Sequence, residues 1–313
     1  MPGAATTILA LTGPTAVGKT DVALALAERL PLAIISMDSA MVYRGLDIGS
    51  AKPDRAILER HPHALVDIRD PAQPYSAADF VRDADQAVRE ALANGRIPLL
   101  VGGTMLYLRA FREGLAPMPG ADQELRDRLR EEARIVGWPA LYERLRQLDA
   151  EAAAGIHPNN VARIERALEV FELTGKKMSS FWVTTAEHRV EARLGMHLKE
   201  FAVMPDSRAA LHRRIADRVD QMLASGLVEE VRRLHQRGDL HPQLPAIRAV
   251  GYRQVWAMLE GEQPATGLAE KIVVATRQLA KRQLTWLRGW GIPELVWGDH
   301  QRLATRIAES AVP

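Results

Sequence analysis

The octapeptide Gly13-Pro14-Thr15-Ala16-Val17-Gly18-Lys19-Thr20 fits the spacing G-x-x-x-x-G-K-S/T. Such a loop turns several backbone N–H groups and the start of a helix toward one anion. Its glycines let the backbone approach phosphate oxygens, Lys19 adds a point charge, and the Thr20 hydroxyl suits Mg²⁺. The flanks are right for this chemistry. Ile8-Leu9-Ala10-Leu11 reads as a buried strand before the loop, and Asp21 to Leu30 as an amphipathic helix after it. A glycine turn that merely opens a helix is the plainer alternative, and the flanks favour a di- or triphosphate site.

Two further segments fall where a doubly wound sheet gathers ligands, at the C-terminal ends of its strands. Asp38 follows the apolar run Ala33-Ile34-Ile35-Ser36. That run is expected beside the phosphate-loop strand, so Asp38 is either a loop-capping aspartate or a general base or metal-shell carboxylate. Gly102-Gly103-Thr104 closes the run Ile97 to Val101. There the glycines allow close approach to a ligand, and the threonine is either an N-cap or a functional hydroxyl.

The elements that must position these groups alternate over the first 115 residues. His63 to Ile68 reads as a third strand, and Ser76-Ala77-Ala78-Asp79 as a capping-box start for a helix reaching Asn94-Gly95. From Ala121 to Gly175 the pattern is helical, broken at Gly137-Trp138-Pro139 and Gly155-Ile156-His157-Pro158. Strand character returns at Leu198 to Val203. Helices are expected over Ser207–Ser225, Leu227–Gln236 and Gly267–Arg288, with a last strand at Glu294–Trp297. The fold class is therefore α/β: a P-loop NTPase-like parallel sheet with helices on both faces, plus a helical insertion. The expected limits are 1–115 and 200–313 for the core and 116–199 for the insertion.

Composition narrows the function. The 313 residues carry 41 Lys and Arg against 39 Asp and Glu, a net charge of +2, and no cysteine. Disulfides and thiolate metal sites are excluded, and a reducing cytosol is expected. No leader or membrane-length apolar run is visible. The nine histidines have no metal-ligand spacing. There is no strand ending in the acidic pair of an ATP hydrolase, no Asn-Lys-x-Asp guanine motif and no aspartate-rich prenyl diphosphate segment. Charge is nevertheless distributed unevenly: Lys271 to Trp290 holds five basic residues and no acid. Arg214 and Arg218 share a helix face, Arg248 and Arg253 flank Gly251 and Tyr252, and Lys281 and Arg282 precede Trp286. A solvated basic face is the simpler reading of each. Three such runs interleaved with aromatics point to phosphate contacts and base stacking on RNA.

These residues resemble, in order and over nearly the whole chain, the bacterial tRNA dimethylallyltransferases. The resemblance is carried by Gly13 to Thr20, Asp38-Ser39 with Tyr43-Arg44-Gly45-Leu46-Asp47-Ile48-Gly49, and Val101 to Thr104. It continues through His157-Pro158-Asn159-Asn160, Ala246 to Arg253 and Ala275 to Arg288. Ser50, Asn160 and Thr285 stand where that family usually has Thr, Asp and an aliphatic residue.

The resemblance implies transfer of a dimethylallyl group from dimethylallyl diphosphate to the exocyclic amine of the tRNA adenosine 3′ to the anticodon. Mg²⁺ on Thr20 and a helical insertion gripping the anticodon stem-loop are implied with it. It gives catalytic roles to Asp38, Thr104, Lys19 and the Arg214/Arg218 face, and diphosphate binding to Gly13, Pro14, Thr15, Ala16, Val17, Gly18, Lys19 and Thr20. For tRNA it implies Asp38, Ser39, Ala40, Met41, Thr104, Arg126, Ala162, Arg163, Ile164, Glu165 and Arg166. To these it adds Arg248, Gly251, Tyr252, Arg253, Lys281, Arg282, Gln283 and Trp286. Spacing does not choose between Arg214 and Arg218. No protein partner or membrane is implied, and a monomer is expected. The rival classes are an ATP-dependent nucleoside or nucleotide kinase, and an RNA-binding module with a degenerate nucleotide site.

Overall fold

The computed structural model describes residues 7–182 and 186–311. The chain divides into two compact units: one runs up to Arg112 and resumes at Leu194, and the other is Glu113–Arg193. Both limits of the insertion fall earlier than the sequence suggests, because the strand that follows it already begins at His197.

The first unit holds six parallel strands: β1 Thr7–Thr12, β2 Leu32–Ser36, β3 His63–Ala64, β4 Ile97–Gly102, β5 His197–Met204 and β6 Glu294–Val296. Their spatial order is β3-β2-β4-β1-β5-β6. Ile8 to Thr12 have no solvent exposure, as expected of a central parallel strand covered on both faces. The expected adjacency of β2 to β1 is corrected by this order. Leu99 of β4 pairs with Leu9 on one side and Ile34 on the other, so β4 lies between them. Both runs are equally apolar, so local pattern marks them as strands but leaves their order to packing.

The third strand is shorter than His63–Ile68. Leu65 and Asp67 adopt φ of 65° and 56°, which an extended strand does not accommodate, and the chain turns after Ala64.

The helices are α1 Lys19–Ala27, α2 Arg55–Arg60, α3 Ala77–Ala93, α4 Met105–Glu113, α5 Gln123–Val136, α6 Trp138–Leu148, α7 Ala150–Ala154, α8 Val161–Thr174 and α9 Val190–Leu194. Beyond β5 come α10 Arg208–Ala224, α11 Leu227–His235, α12 Tyr252–Leu259, α13 Leu268–Arg288 and α14 His300–Ala311. Ser76 and Asp79 form the anticipated reciprocal capping box on α3. α1 and α14 cover one side of the sheet through Val22, Leu26, Leu303 and Ile307, which pack with Leu9, Leu11 and Val203. Leu211 and Ile215 of α10 meet Ala280 of α13, and Ala16 of the glycine loop packs on that group. This last contact brings two distant helices to the phosphate loop. No helix among the described residues is long and apolar enough to cross a membrane.

The second unit has its own core, in which Leu125 and Leu129 of α5 meet Leu141 and Leu145 of α6 and Ile164 and Leu168 of α8.

Candidate active site

The glycine loop leaves β1 and enters α1 through backbone that most residues avoid. Gly18 has φ of 91°, and a Cβ there would lie 2.5 Å from the indole nitrogen of Trp297, so both conformation and space demand glycine. Lys19 Nζ donates to the carbonyls of Gly13 at 3.0 Å and Pro14 at 2.9 Å. Burial lowers the lysine pKa to about 8; Asp38 opposes the shift and Arg218 adds to it. An ammonium held at the edge of deprotonation is one that an incoming anion stabilises strongly.

Gln283 of α13 ties the site together. Its Oε1 accepts from Thr15 N at 2.8 Å and its Nε2 donates to Gly103 O at 2.8 Å. The two loops at the ends of β1 and β4 are thus held by one buried amide. Gly102 and Gly103 line the cavity, and both are also packed closely against the protein itself. A Cβ on Gly102 would sit 1.9 Å from Met37 O, and one on Gly103 would sit 2.6 Å from Gln283 Nε2.

Asp38 lies at the end of β2. Its Oδ1 accepts from Ala40 N at 2.8 Å and Met41 N at 3.3 Å, so the capping role is present. The carboxylate also lines the same cavity as Lys19 and Thr20, so capping and chemistry are compatible. Thr104 does not spend its hydroxyl on its own helix. It accepts from Ser39 N at 3.1 Å and donates to Ser39 Oγ at 3.3 Å, joining the β2 and β4 loops.

These loops open on a cavity of about 760 Å³. Ser39, Ala40 and Met41 line it, as do Arg214 and Arg218 of α10, Arg248 and Gly251 before α12, and Arg282, Gln283 and Trp286 of α13. Five lysine or arginine side chains face two aspartates, Asp21 and Asp38, so the cavity favours a polyanion. Arg218 donates to Ser50 O at 3.4 Å and feels Asp38, whereas Arg214 lies over the ring of Trp297, 3.8 Å from its centre. Trp286 meets Trp290 edge-on at 5.5 Å, and Arg112 covers Trp290 in turn. Part of the cavity wall is apolar, from Ile215, Val219, Met222 and Leu279.

Other expected RNA contacts lie elsewhere. Arg253 and Lys281 are exposed and outside the cavity. Tyr252 is fully buried, and its hydroxyl donates to Glu230 at 2.6 Å; the expectation that its ring meets RNA is corrected. Glu230 itself accepts from the amides of Asp47, Ile48 and Gly49, fixing the loop that carries Ser50.

In the second unit, Ile164 is a core residue with no exposure, and Glu165 is buried against Arg130 at 2.7 Å. These two side chains hold the helices together rather than face a partner. Arg126 and Arg166 both bind the buried Glu169, while Ala162 and Arg163 are exposed. The three departures from family pattern make local bonds: Ser50 Oγ donates to Leu46 O, Asn160 Oδ1 accepts from Arg163 N, and Thr285 Oγ1 donates to Lys281 O.

Sequence reasoning missed Glu230 and Trp297. The strand expected at Glu294–Trp297 ends one residue early, at Val296, which leaves Trp297 just past its C-terminal end. Among the described residues no three His, Cys, Asp or Glu gather as a metal cage. The oxygens beside the loop, from Thr20 and Asp38, are hard donors of the few-ligand kind that Mg²⁺ accepts when phosphates supply the rest.

A family model described as IPP transferase matches residues 41–290. The tRNA dimethylallyltransferase 2 of Hahella chejuensis is 55% identical over 296 residues, covering 92% of this chain and 89% of that protein. The tRNA dimethylallyltransferase of Alkalilimnicola ehrlichii is 54% identical, covering 92% and 91%. A solved tRNA isopentenylpyrophosphate transferase from Bacillus halodurans superposes with a TM-score of 0.70 at 34% identity, covering 98% of this chain and 97% of its own. A eukaryotic dimethylallyltransferase solved acting on tRNA shares the fold, with a TM-score of 0.77 at 24% identity over 98% of this chain and 78% of that one. With its phosphate loop, facing aspartate and basic cavity in this setting, the chain belongs to the IPP transferase family of tRNA dimethylallyltransferases.

Proposed function

We propose that this tRNA prenyltransferase takes its group from dimethylallyl diphosphate and delivers it to the exocyclic amine of the adenosine 3′ to the anticodon. One observation carries the reading: the phosphate loop, the Asp38–Thr104 rim and the Arg248, Arg282 and Trp286 side chains border a single cavity. A kinase needs the first two features but has no use for a basic, aromatic third wall.

In the reaction the amine nitrogen forms a bond to C1 of the dimethylallyl group while the C1–oxygen bond breaks and diphosphate departs. The loop amides, Lys19, Arg214 and Arg218 stabilise the charge growing on the leaving group. Asp38 takes the amine proton on the oxygen not engaged by Ala40 and Met41. Thr104, oriented by Ser39 N, turns its hydroxyl proton to the bridging oxygen. The Thr20 hydroxyl would hold a Mg²⁺ ion, which would supply further neutralisation of the diphosphate. Extruding the base costs a few kcal/mol, and less in a loop than in a duplex. Every group invoked comes from one chain, so a monomer suffices; the insertion adds RNA contacts through exposed residues such as Arg163.

The test is label transfer to unmodified tRNA, with labelled dimethylallyl diphosphate and labelled ATP in parallel, for the native chain and Asp38→Ala. Prenyl label on RNA with a loss of about 10²-fold in kcat for the variant, and a much smaller change in tRNA affinity, is expected. Label from ATP on RNA would favour the kinase, and an equal fall in turnover and affinity would reduce Asp38 to an RNA contact.

A further inference from the structure

Arg214 is fixed without being neutralised. Several arginines elsewhere in the chain are held by carboxylates, as Arg126 and Arg166 are by Glu169. Among the described residues no carboxylate makes an ion pair with Arg214; Asp21 and Asp206 act on it only through space. Its one hydrogen bond to protein, to Val17 O, is long at 3.4 Å. What holds the guanidinium is the face of Trp297, at 3.8 Å.

Trp297 is itself well anchored. It follows β6, its N–H donates to Met204 O at 2.6 Å, and its side chain packs against the cluster that joins the sheet to α1 and α14. The indole edge lies against Gly18, where a Cβ would fall 2.5 Å from Nε1 and 3.0 Å from the Arg214 guanidinium. Loop glycine, indole and guanidinium therefore meet at one point beside the P-loop, and of these Gly18 and Arg214 line the cavity while Trp297 stands behind them. A π face immobilises a guanidinium while leaving its N–H groups and charge for another partner.

We propose that Trp297 is a positioning residue that presents Arg214 to the diphosphate held by the phosphate loop. The inference rests on the reading that Arg214 contacts diphosphate. It explains why a residue outside every motif in the sequence stands beside Gly18, and it separates the two arginines of α10: Arg214 is oriented by a ring, and Arg218 by Ser50 O and the field of Asp38.

The test is calorimetric titration of inorganic diphosphate, with steady-state kinetics alongside, for Trp297→Met, Trp297→Phe, Arg214→Ala and the Met/Ala double variant. Methionine fills most of the space without a π face, and phenylalanine restores one. Trp297→Met is expected to weaken diphosphate binding and raise the KM for the prenyl diphosphate by about three- to thirtyfold. tRNA affinity should stay unchanged, Trp297→Phe should recover most of the loss, and the methionine substitution should add little once Arg214 is gone. If Arg214→Ala leaves diphosphate binding intact, the reading of Arg214 as a diphosphate ligand fails. If Arg214→Ala weakens binding but Trp297→Met does not, or the two effects simply add, Trp297 only packs the core and the proposal is overturned. Should Trp297→Met not fold, Trp297→Leu, which likewise lacks a π face, takes its place in the cycle with Arg214→Ala, and zero coupling there sinks the idea.

Discussion

The hydroxyl of Tyr252 donates to the carboxylate of Glu230 at 2.6 Å, inside a pocket where Glu230 also collects three backbone amides from the Asp47–Gly49 loop. This fully satisfied carboxylate couples α11, α12 and the loop whose Ser50 carbonyl receives Arg218. Tyr252→Phe should therefore lower stability by about 1–3 kcal/mol, the worth of a buried bond to a charged group, while tRNA affinity stays close to native. Denaturant unfolding and tRNA binding of the variant check this. A large affinity loss without a stability loss would return Tyr252 to the RNA.

Gln283 bridges Thr15 and Gly103, so its loss should loosen two catalytic loops at once. Gln283→Ala removes two bonds of about 0.5–1.5 kcal/mol each and leaves Thr15 N and Gly103 O unpaired. The expected result is a KM for prenyl diphosphate raised about tenfold, with a smaller change for tRNA. Comparable changes for both substrates would mean that Gln283 serves the RNA directly.

Lys19 makes diphosphate binding pH-dependent. With its free-state pKa lowered to about 8, the ammonium is present below that pH and lost above it. A bound diphosphate favours the charged form and raises the pKa, so the complex takes up a proton at higher pH. Affinity should then fall by up to about tenfold per pH unit above 8, until the bound-state pKa is reached. Lys19→Arg, which stays charged, should flatten that limb. KM for prenyl diphosphate measured from pH 6.5 to 9.5 tests the sign.

Arg214 and Arg218 should respond to salt differently from Arg253, Lys281 and Arg282. Arg253→Ala, Lys281→Ala and Arg282→Ala are expected to weaken tRNA binding and each flatten its salt dependence by about one counterion. Arg214→Ala and Arg218→Ala should lower turnover with little effect on that slope, because a diphosphate has no condensed counterion atmosphere. Five identical slopes would dissolve the division between RNA-gripping and leaving-group residues.

Much of this molecule is local and so legible in sequence. The phosphate loop needs eight contiguous residues, because its ligands are mostly its own backbone amides, and Gly18 and Lys19 stand as the motif requires. The capping box at Ser76 and the long α13 follow from residue spacing alone. The ordered motifs from Gly13 to Arg288 carry the family. Tertiary structure decided what depends on which groups are buried together. It placed β4 between β1 and β2, although all three runs look alike as apolar strands. It took Tyr252 and Ile164 into cores that their neighbours in sequence do not reveal. It also gave Gln283 a partner 268 residues away and seated Arg214, which follows the insertion in sequence, on a tryptophan just past the last strand. Periodicity says which face of a helix is polar; only packing brings two such faces together and so determines whether a charged side chain meets a carboxylate, a ring or a substrate.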